Sequence, residues 1–422
     1  MIELKLPKDN PDIIRQAIKD RSEGVKLDKI IDLDKQRRAG ITEIQELKQQ
    51  QNVLSEKVGK LKGEGKNSQD KIQQAKDLSE KIKNMSKIQK EVEDKFFEAV
   101  KWIPNIPNES VPIGQSGDDN QFIRGLKQPP DFDFNVLTHW EIAEALDILD
   151  IKRAPKISGS RFILYKGIGA KLERALINFF LDLHTKKHGY TEIMPPVLNP
   201  TNCLYGTGQL PKLENDMYKC RDDGFYLCPT AEVPLTNMHR DEIIAEKQLP
   251  LYYTAYTPCF RREAGSYGKD VKGIKRVHQF NKVELVKYTT PEHSYEEFEK
   301  LLNDAEQVAK LLGLPYRIML LCTGDMTFAA AKTYDIEIYA AGMKEWLEVS
   351  SVSIYDQYQA RRANIRYRST KGKVDYVCTM NGSGLATPRV FIALLENNQT
   401  KDGRISIPQV LQPYMDGKEY IE

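Results

Sequence analysis

Between residues 26 and 100 apolar side chains recur at helical steps. Ile41, Ile44, Leu47, Leu54, Val58 and Leu61 are separated by three, four or seven positions. After KGEGKN (Lys62 to Asn67), where glycine makes helix costly, the stepping resumes with Ile72, Ala75, Leu78, Ile82, Met85, Ile88, Val92, Phe96 and Ala99. The two stripes predict an antiparallel helical hairpin with a thin apolar seam. Each helix has about 35 residues and a length of about 50 Å at 1.5 Å per residue. So long and thin a pair is expected to stand off as an arm. Pro104, Pro107 and Pro112 then forbid helix across a linker, Lys101 to Gly114. The expected division is a helical domain over 1–103 and a second domain over 104–422.

The second domain mixes periods. Ile168, Leu172, Leu176, Phe179 and Leu183 lie at helical spacing, and further helices are expected over Pro291–Leu312 and Leu385–Asn397. FYLCPT, PLYYTAYTPCFRRE, VHQFNKVELVKY, YDIEIYA, EWLEVSSVS and VDYVCTMN predict strands. Most neighbours in sequence can pair as hairpins, and few βαβ units are visible. The expected class is α+β: an antiparallel β-sheet flanked by helices, carrying an N-terminal antiparallel coiled-coil arm.

Composition changes this picture little. The 422-residue chain is longer than one core usually holds, and its net charge of +2 means that any basic surface is local. No apolar run reaches the roughly eighteen residues of a membrane span, and the first residues resemble no signal peptide. The six cysteines form no CxxC, and no histidine pair sits at ligand spacing. Reduced thiols, a cytoplasmic location and no zinc are expected.

Candidate chemistry gathers around Cys259 to Val286, two predicted strands joined by a long charged insert. By strand alternation Arg261 and Glu263 share a face, as do Phe280, Lys282 and Glu284. These are parts for a nucleotide: a guanidinium for phosphate, a ring to stack on a base, and a carboxylate for an exocyclic amine. An ion-paired strand face with a core phenylalanine fits the same residues. No GxGxxG follows a strand and no GxxxxGK[ST] occurs.

FRRE, the long insert and VHQFNKVE resemble motif 2 of the class II aminoacyl-tRNA synthetases. PTAEVPL (Pro229 to Leu235), EVSSVS with YQARRANIRYR (Glu348 to Arg368), and NGSGLATPRVFIALLEN (Asn381 to Asn397, as motif 3) resemble the seryl-tRNA synthetases, bacterial-type, and Pro195 in YTEIMPPVL fits motif 1. The order of these stretches and the preceding arm fit as well. The resemblance implies serine activation by ATP, with Mg²⁺, and transfer to tRNA(Ser); many relatives also serylate tRNA(Sec). It implies Arg261, Glu263 and Arg389 as catalytic residues. It implies a serine pocket of Thr230, Ala231, Glu232, Glu284 and Ser383. ATP would meet Arg261, Arg262, Glu263, Phe280, Glu348, Val349, Ser350, Ser351 and Arg389, and Glu348 and Ser351 would hold Mg²⁺. Positions 348 and 351 have opposite strand parity, so they require a bulge or a bridging water. The insert, with Lys269, Lys272, Lys275 and Arg276, would meet the tRNA acceptor end, the arm would contact the tRNA's long variable arm, and motif 1 would sit in a homodimer interface. A class II ligase with another amino acid or acceptor, and a catalytically dead RNA-binding core, remain as alternatives.

Overall fold

The computed structural model describes residues 1–126, 131–264 and 273–422. Lys269 and Lys272 lie outside these. The chain divides into two compact units, residues 3–104, and Met1–Ile2 with Asn105–Glu422.

The first unit is built on two long helices, α1 (Leu27–Gly63) and α2 (Gln69–Val100). Their turn follows from local chemistry. Gly65 takes φ +70°, a conformation cheap only for glycine. Lys60 and Lys62 sit on the negative end of the α1 dipole, and Asn67 Oδ1 caps α2 by accepting from the Gln69 amide at 3.0 Å. Ile44, Leu47 and Phe96 are buried in the seam, each contributing about 1.5–3 kcal/mol by burial. Ile88 departs from the predicted stripe and is 60% exposed. Its neighbour Gln89 occupies the seam, donating to Arg37 O at 3.0 Å and lying over Gly40, where a Cβ would stand 2.1 Å from Gln89 Oε1. The seam therefore steps 85, 89, 92, 96, because helical positions drift around the axis when steps of three repeat.

The second unit centres on eight strands: β1 (Gln121–Gly125), β2 (Thr191–Glu192), β3 (Leu251–Phe260), β4 (Gln279–Thr289), β5 (Tyr316–Leu320), β6 (Lys332–Ala340), β7 (Glu345–Ile354) and β8 (Cys378–Ala386). Their order across the sheet is β1-β5-β6-β7-β8-β4-β3-β2. All pairs are antiparallel except β2 with β3. The antiparallel core agrees with the sequence expectation. The predicted strand VDYVCTMN continues beyond Asn381, and NGSG forms the middle of β8.

Helices α3 (His139–Ala145), α4 (Ile168–Lys186), α5 (Ser294–Leu311) and α6 (Thr387–Asn397) share one apolar core with the sheet. Leu172, Leu176 and Phe180, four residues apart on α4, are fully buried there. Val283 and Leu285 of β4 point into this core, whereas Val286 and Tyr288 belong to a second, smaller cluster with Ala231 and Leu235. Strand alternation puts Lys282 and Glu284 on that second side.

Candidate active site

β3 and β4 pair in register, so that Cys259 faces Phe280, Thr257 faces Lys282 and Ala255 faces Glu284. Strand β3 ends at Phe260, and Glu263 has φ +51°. Arg261 and Glu263 therefore do not share a face through strand alternation, as the sequence suggested. They turn inward from the irregular segment after the strand. Both line a cleft of about 420 Å³, together with Phe280, Lys282, Thr230, Glu232, Glu348, Ser351, Ser383 and Arg389.

One group of cleft side chains carries positive charge over an aromatic floor. The Arg261 guanidinium lies 5.3 Å from the Phe280 ring centroid, and its Nε donates to Pro229 O at 3.3 Å. Arg389, in the first turn of α6, donates from Nη1 to Glu348 O at 2.6 Å and approaches Glu348 Oε2 at 3.3 Å. Burial pushes the Glu348 carboxyl up, but Arg389 and Arg261 outweigh it and hold it below the usual range. Glu263 lies 3.6 Å from Arg276. Arg262 is placed by its amide, which donates to Asp216 O at 2.8 Å, and its side chain does not line the cleft.

The parity of Glu348 and Ser351 resolves in the register of β7. Glu348 is opposite Glu337 and Ser351 is opposite Asp335, with the extra residue absorbed between 348 and 350. Asp335 and Glu337 are two apart on one face of β6, so this bulge returns Ser351 to the face of Glu348. Val349 is buried, and Ser350 donates its hydroxyl to Ser383 O at 2.7 Å, locking β7 to β8. Asp335 itself carries no sequence signature. Burial, then the nearby Glu348, push its carboxyl up, and its Oδ1 is buried without a partner.

The other group is a polar network on the TAE segment. Glu284 is fully buried, joined to the cleft residues Thr230, Lys282 and Asn381. Its Oε1 accepts from Asn381 Nδ2 at 2.6 Å, and its Oε2 accepts from Thr230 Oγ1 at 3.2 Å and from Lys282 Nζ at 2.6 Å. Lys282 also donates to Thr230 Oγ1 at 2.8 Å, and Thr230 Oγ1 accepts the Glu232 amide at 3.2 Å. Ala231 is buried beneath. Glu232 Oε1 accepts from Gln359 at 2.7 Å, and its Oε2 accepts from Gln209 at 3.2 Å. Burial and the charge of Glu284 push the Glu232 carboxyl up to about 7. Ser383 is directly opposite Glu284 across the β8–β4 pair.

Gln359 and Asn381 fall inside stretches quoted above, yet composition gave no reason to pick them, and Lys282 was placed on the face of Phe280 and Glu284 without a role. Gln209 lies outside every motif. Lys275, at the C-terminal root of the insert, reaches Glu345 at 2.5 Å. That root is held from behind. His139 Nδ1 donates to Glu396 Oε1 at 2.8 Å, leaving Nε2 to accept the Ile274 amide at 3.2 Å. Glu396 Oε2 accepts the amides of Gly342 and Met343, each at 2.9 Å. Gly273, at φ +78°, has no room for a Cβ, which would meet His139 Nε2 at 2.0 Å.

An antiparallel sheet with this strand order, a cleft floored by an aromatic ring and flanked by two arginines, defines a class. A family model for the class II core of tRNA synthetases (G, H, P, S and T) matches residues 218–398, and the fold is that of a class II synthetase. A second family model, the seryl-tRNA synthetase N-terminal domain, matches residues 1–107. The serine–tRNA ligase of Syntrophomonas wolfei is 50% identical over 422 residues, covering 100% of this chain and 99% of that protein. That of Thermoanaerobacter pseudethanolicus is 52% identical over 417 residues, covering 98% of each. The seryl-tRNA synthetase of Pyrococcus horikoshii, solved in complex with ATP, superposes with a TM-score of 0.94 at 36% identity, covering 100% of this chain and 99% of that one. The chain belongs to the seryl-tRNA synthetase family.

Proposed function

We propose that the protein activates L-serine with ATP and transfers it to the 3′-terminal adenosine of tRNA(Ser). The observation that carries this reading is that a single cleft gathers Arg261, Phe280, Glu348 and Arg389 beside Thr230, Glu232 and Ser383. The family membership and the ATP complex of the Pyrococcus relative support it.

In the first step a serine carboxylate oxygen attacks the α-phosphorus of ATP. The bond to the bridging oxygen breaks, pyrophosphate leaves, and a mixed anhydride, seryl-adenylate, forms. Catalysis here is positioning and charge stabilisation. Phe280 stacks on adenine and Glu263 accepts from its amine. Arg261 binds the α-phosphate, where negative charge grows, and Arg389 binds the γ-phosphate from the first turn of α6. Glu232 and Thr230 hold the serine ammonium. The hydroxyl is recognised where Glu284, Thr230 and Ser383 converge. A substrate lacking that hydroxyl leaves buried polar groups unpaired, which is the physical ground for rejecting alanine. In the second step the ribose hydroxyl attacks the serine carbonyl carbon and AMP leaves.

The residues present suit Mg²⁺. Glu348, Ser351 and the partnerless Asp335 Oδ1 are hard oxygen donors on one side of the bulge. Glu348 and Ser351 would hold the ion, which neutralises phosphate charge when bound. The arm, residues 27–99, contacts tRNA through shape more than sequence, as RNA helices are mostly read. The motif 1 segment, 166–198, forms a homodimer interface, and the six free cysteines are in keeping with a reducing cytoplasm. No described helix is long and apolar enough to cross a membrane.

Amino-acid-dependent exchange of labelled pyrophosphate into ATP tests the reading. Exchange with serine is expected. Exchange with another amino acid but not serine would favour a different class II ligase, and none with any amino acid would end the proposal.

A further inference from the structure

Lys282 holds an unusual position for a lysine. It lies in a substrate cleft, its residue is only 5% exposed, and its ammonium sits between Glu284 Oε2 at 2.6 Å and Thr230 Oγ1 at 2.8 Å. Stability does not explain it. A buried ion pair loses about as much solvation as it gains in attraction, and an apolar pair of the same volume often serves as well. The pair has another consequence. Glu284 and Glu232 are both buried carboxylates at the amino-acid end of the cleft, and serine brings only one ammonium. Without Lys282 the two carboxylates would compete for that cation, and the substrate could bind in two orientations.

We infer that Lys282 is a positioning and specificity-determining residue, which neutralises Glu284 so that Glu284 acts on the substrate as a hydrogen-bond acceptor and not as a counter-ion. The substrate ammonium is thereby directed to Glu232, whose Oε1 and Oε2 accept from the neutral amides of Gln359 and Gln209 and which the neutral Tyr355 hydroxyl also reaches. Lys282 has three N–H groups, two of which are engaged with Glu284 and Thr230. The side-chain subsite is then closed to a second cation: an amino acid carrying an amine in place of the serine hydroxyl is repelled by the resident ammonium although its shape fits. This rests on the serine-activating reading above and adds a rule for which side chains that cleft rejects.

The test compares serine with 2,3-diaminopropionate, its amine counterpart, in pyrophosphate exchange by the full chain and by Lys282→Met, Lys282→Gln and Lys282→Arg. Wild type should prefer serine strongly. In Lys282→Met that preference should fall by about a hundredfold, the scale of a close charge pair, through gained use of the diamine as well as lost use of serine. Lys282→Arg should retain the preference, and the KM for ATP should stay within about threefold throughout. Adding Glu284→Gln to Lys282→Met should remove the gained use of the diamine. Should Lys282→Met not fold, Lys282→Gln carries the same comparison. An active, uncharged variant whose preference is unchanged overturns the inference while leaving serine activation standing. A wild type without serine-dependent exchange defeats the underlying reading instead.

Discussion

The roles proposed for Glu232 and Arg261 rest on charge, and each can be tested singly. The Glu232 carboxyl, raised to about 7 by burial and by Glu284, must be ionised to hold an ammonium. A raised carboxyl is increasingly protonated as pH falls through that value, so serine binding weakens on the acid side. With a pKa of about 7, the KM for serine should rise about tenfold from pH 8 to pH 6, and level off above pH 8. A flat profile in exchange kinetics would remove Glu232 from ammonium binding. Arg261 lies over Phe280, 5.3 Å from the ring centroid, and is anchored to Pro229 O, so its guanidinium is preorganised. Arg261→Ala should lower exchange by at least about a hundredfold, as loss of one charge-stabilising donor does, with near-wild-type stability by denaturant unfolding. At this scale the sequence was most informative about residue types and least about geometry. Arg261 and Glu263 of FRRE and Phe280 and Lys282 of FNKVE line one cleft, but Arg261 and Glu263 reach it because the strand stops at Phe260, which alternation alone does not show. Gln209 supports Glu232 from a segment with no motif, because its role is defined only by what folds next to it.

Elements fix the site by register. The bulge between Glu348 and Ser350 aligns two residues of opposite parity, and parity in the sequence announced that something irregular was needed there without saying what. Periodicity placed the helices and most strands well, since burial on one face leaves a strong pattern. It failed where another force decided the outcome. Ile88 was drawn into a stripe that Gln89 occupies, because a buried hydrogen bond to Arg37 O and the gap at Gly40 favour the amide. The predicted strand VDYVCTMN stops at Asn381, yet β8 runs on through NGSG, since the glycines are required by close neighbours. At Gly384 a Cβ would stand 2.6 Å from His184 Nε2. That imidazole cannot retreat easily: its Nδ1 lies 3.0 Å from His188 Nδ1, and burial lowers its pKa to about 3, keeping it neutral. Gly384→Ala should therefore cost about 1–3 kcal/mol in denaturant unfolding. By displacing the adjoining Ser383 it should also raise the KM for serine. Unchanged values for both would mean that α4 yields where the packing indicates it does not.

At the scale of the whole molecule, the two units should be separable in function. Replacing residues 27–99 with a short linker should leave serine-dependent exchange within about threefold, while charging of tRNA(Ser) falls by about a hundredfold or more, the loss expected when many backbone contacts vanish together. Equal charging by the shortened protein would assign those helices a structural role. The 166–198 segment exposes Met194 at 94% and Leu198 at 47%, apolar surface in keeping with a partner subunit. Light scattering at micromolar concentration should give twice the 48.4 kDa chain mass; a monomer would contradict the interface. The strand order has an outcome for biosynthesis. The strand between β7 and β4 is β8, residues 378–386, so the middle of the sheet closes only after every other strand of that sheet has been made. Until then the nascent chain holds two half-sheets with bare inner edges, open to pairing with other chains. Truncated products ending before residue 378 should aggregate, and chaperones should be needed until β8 has emerged.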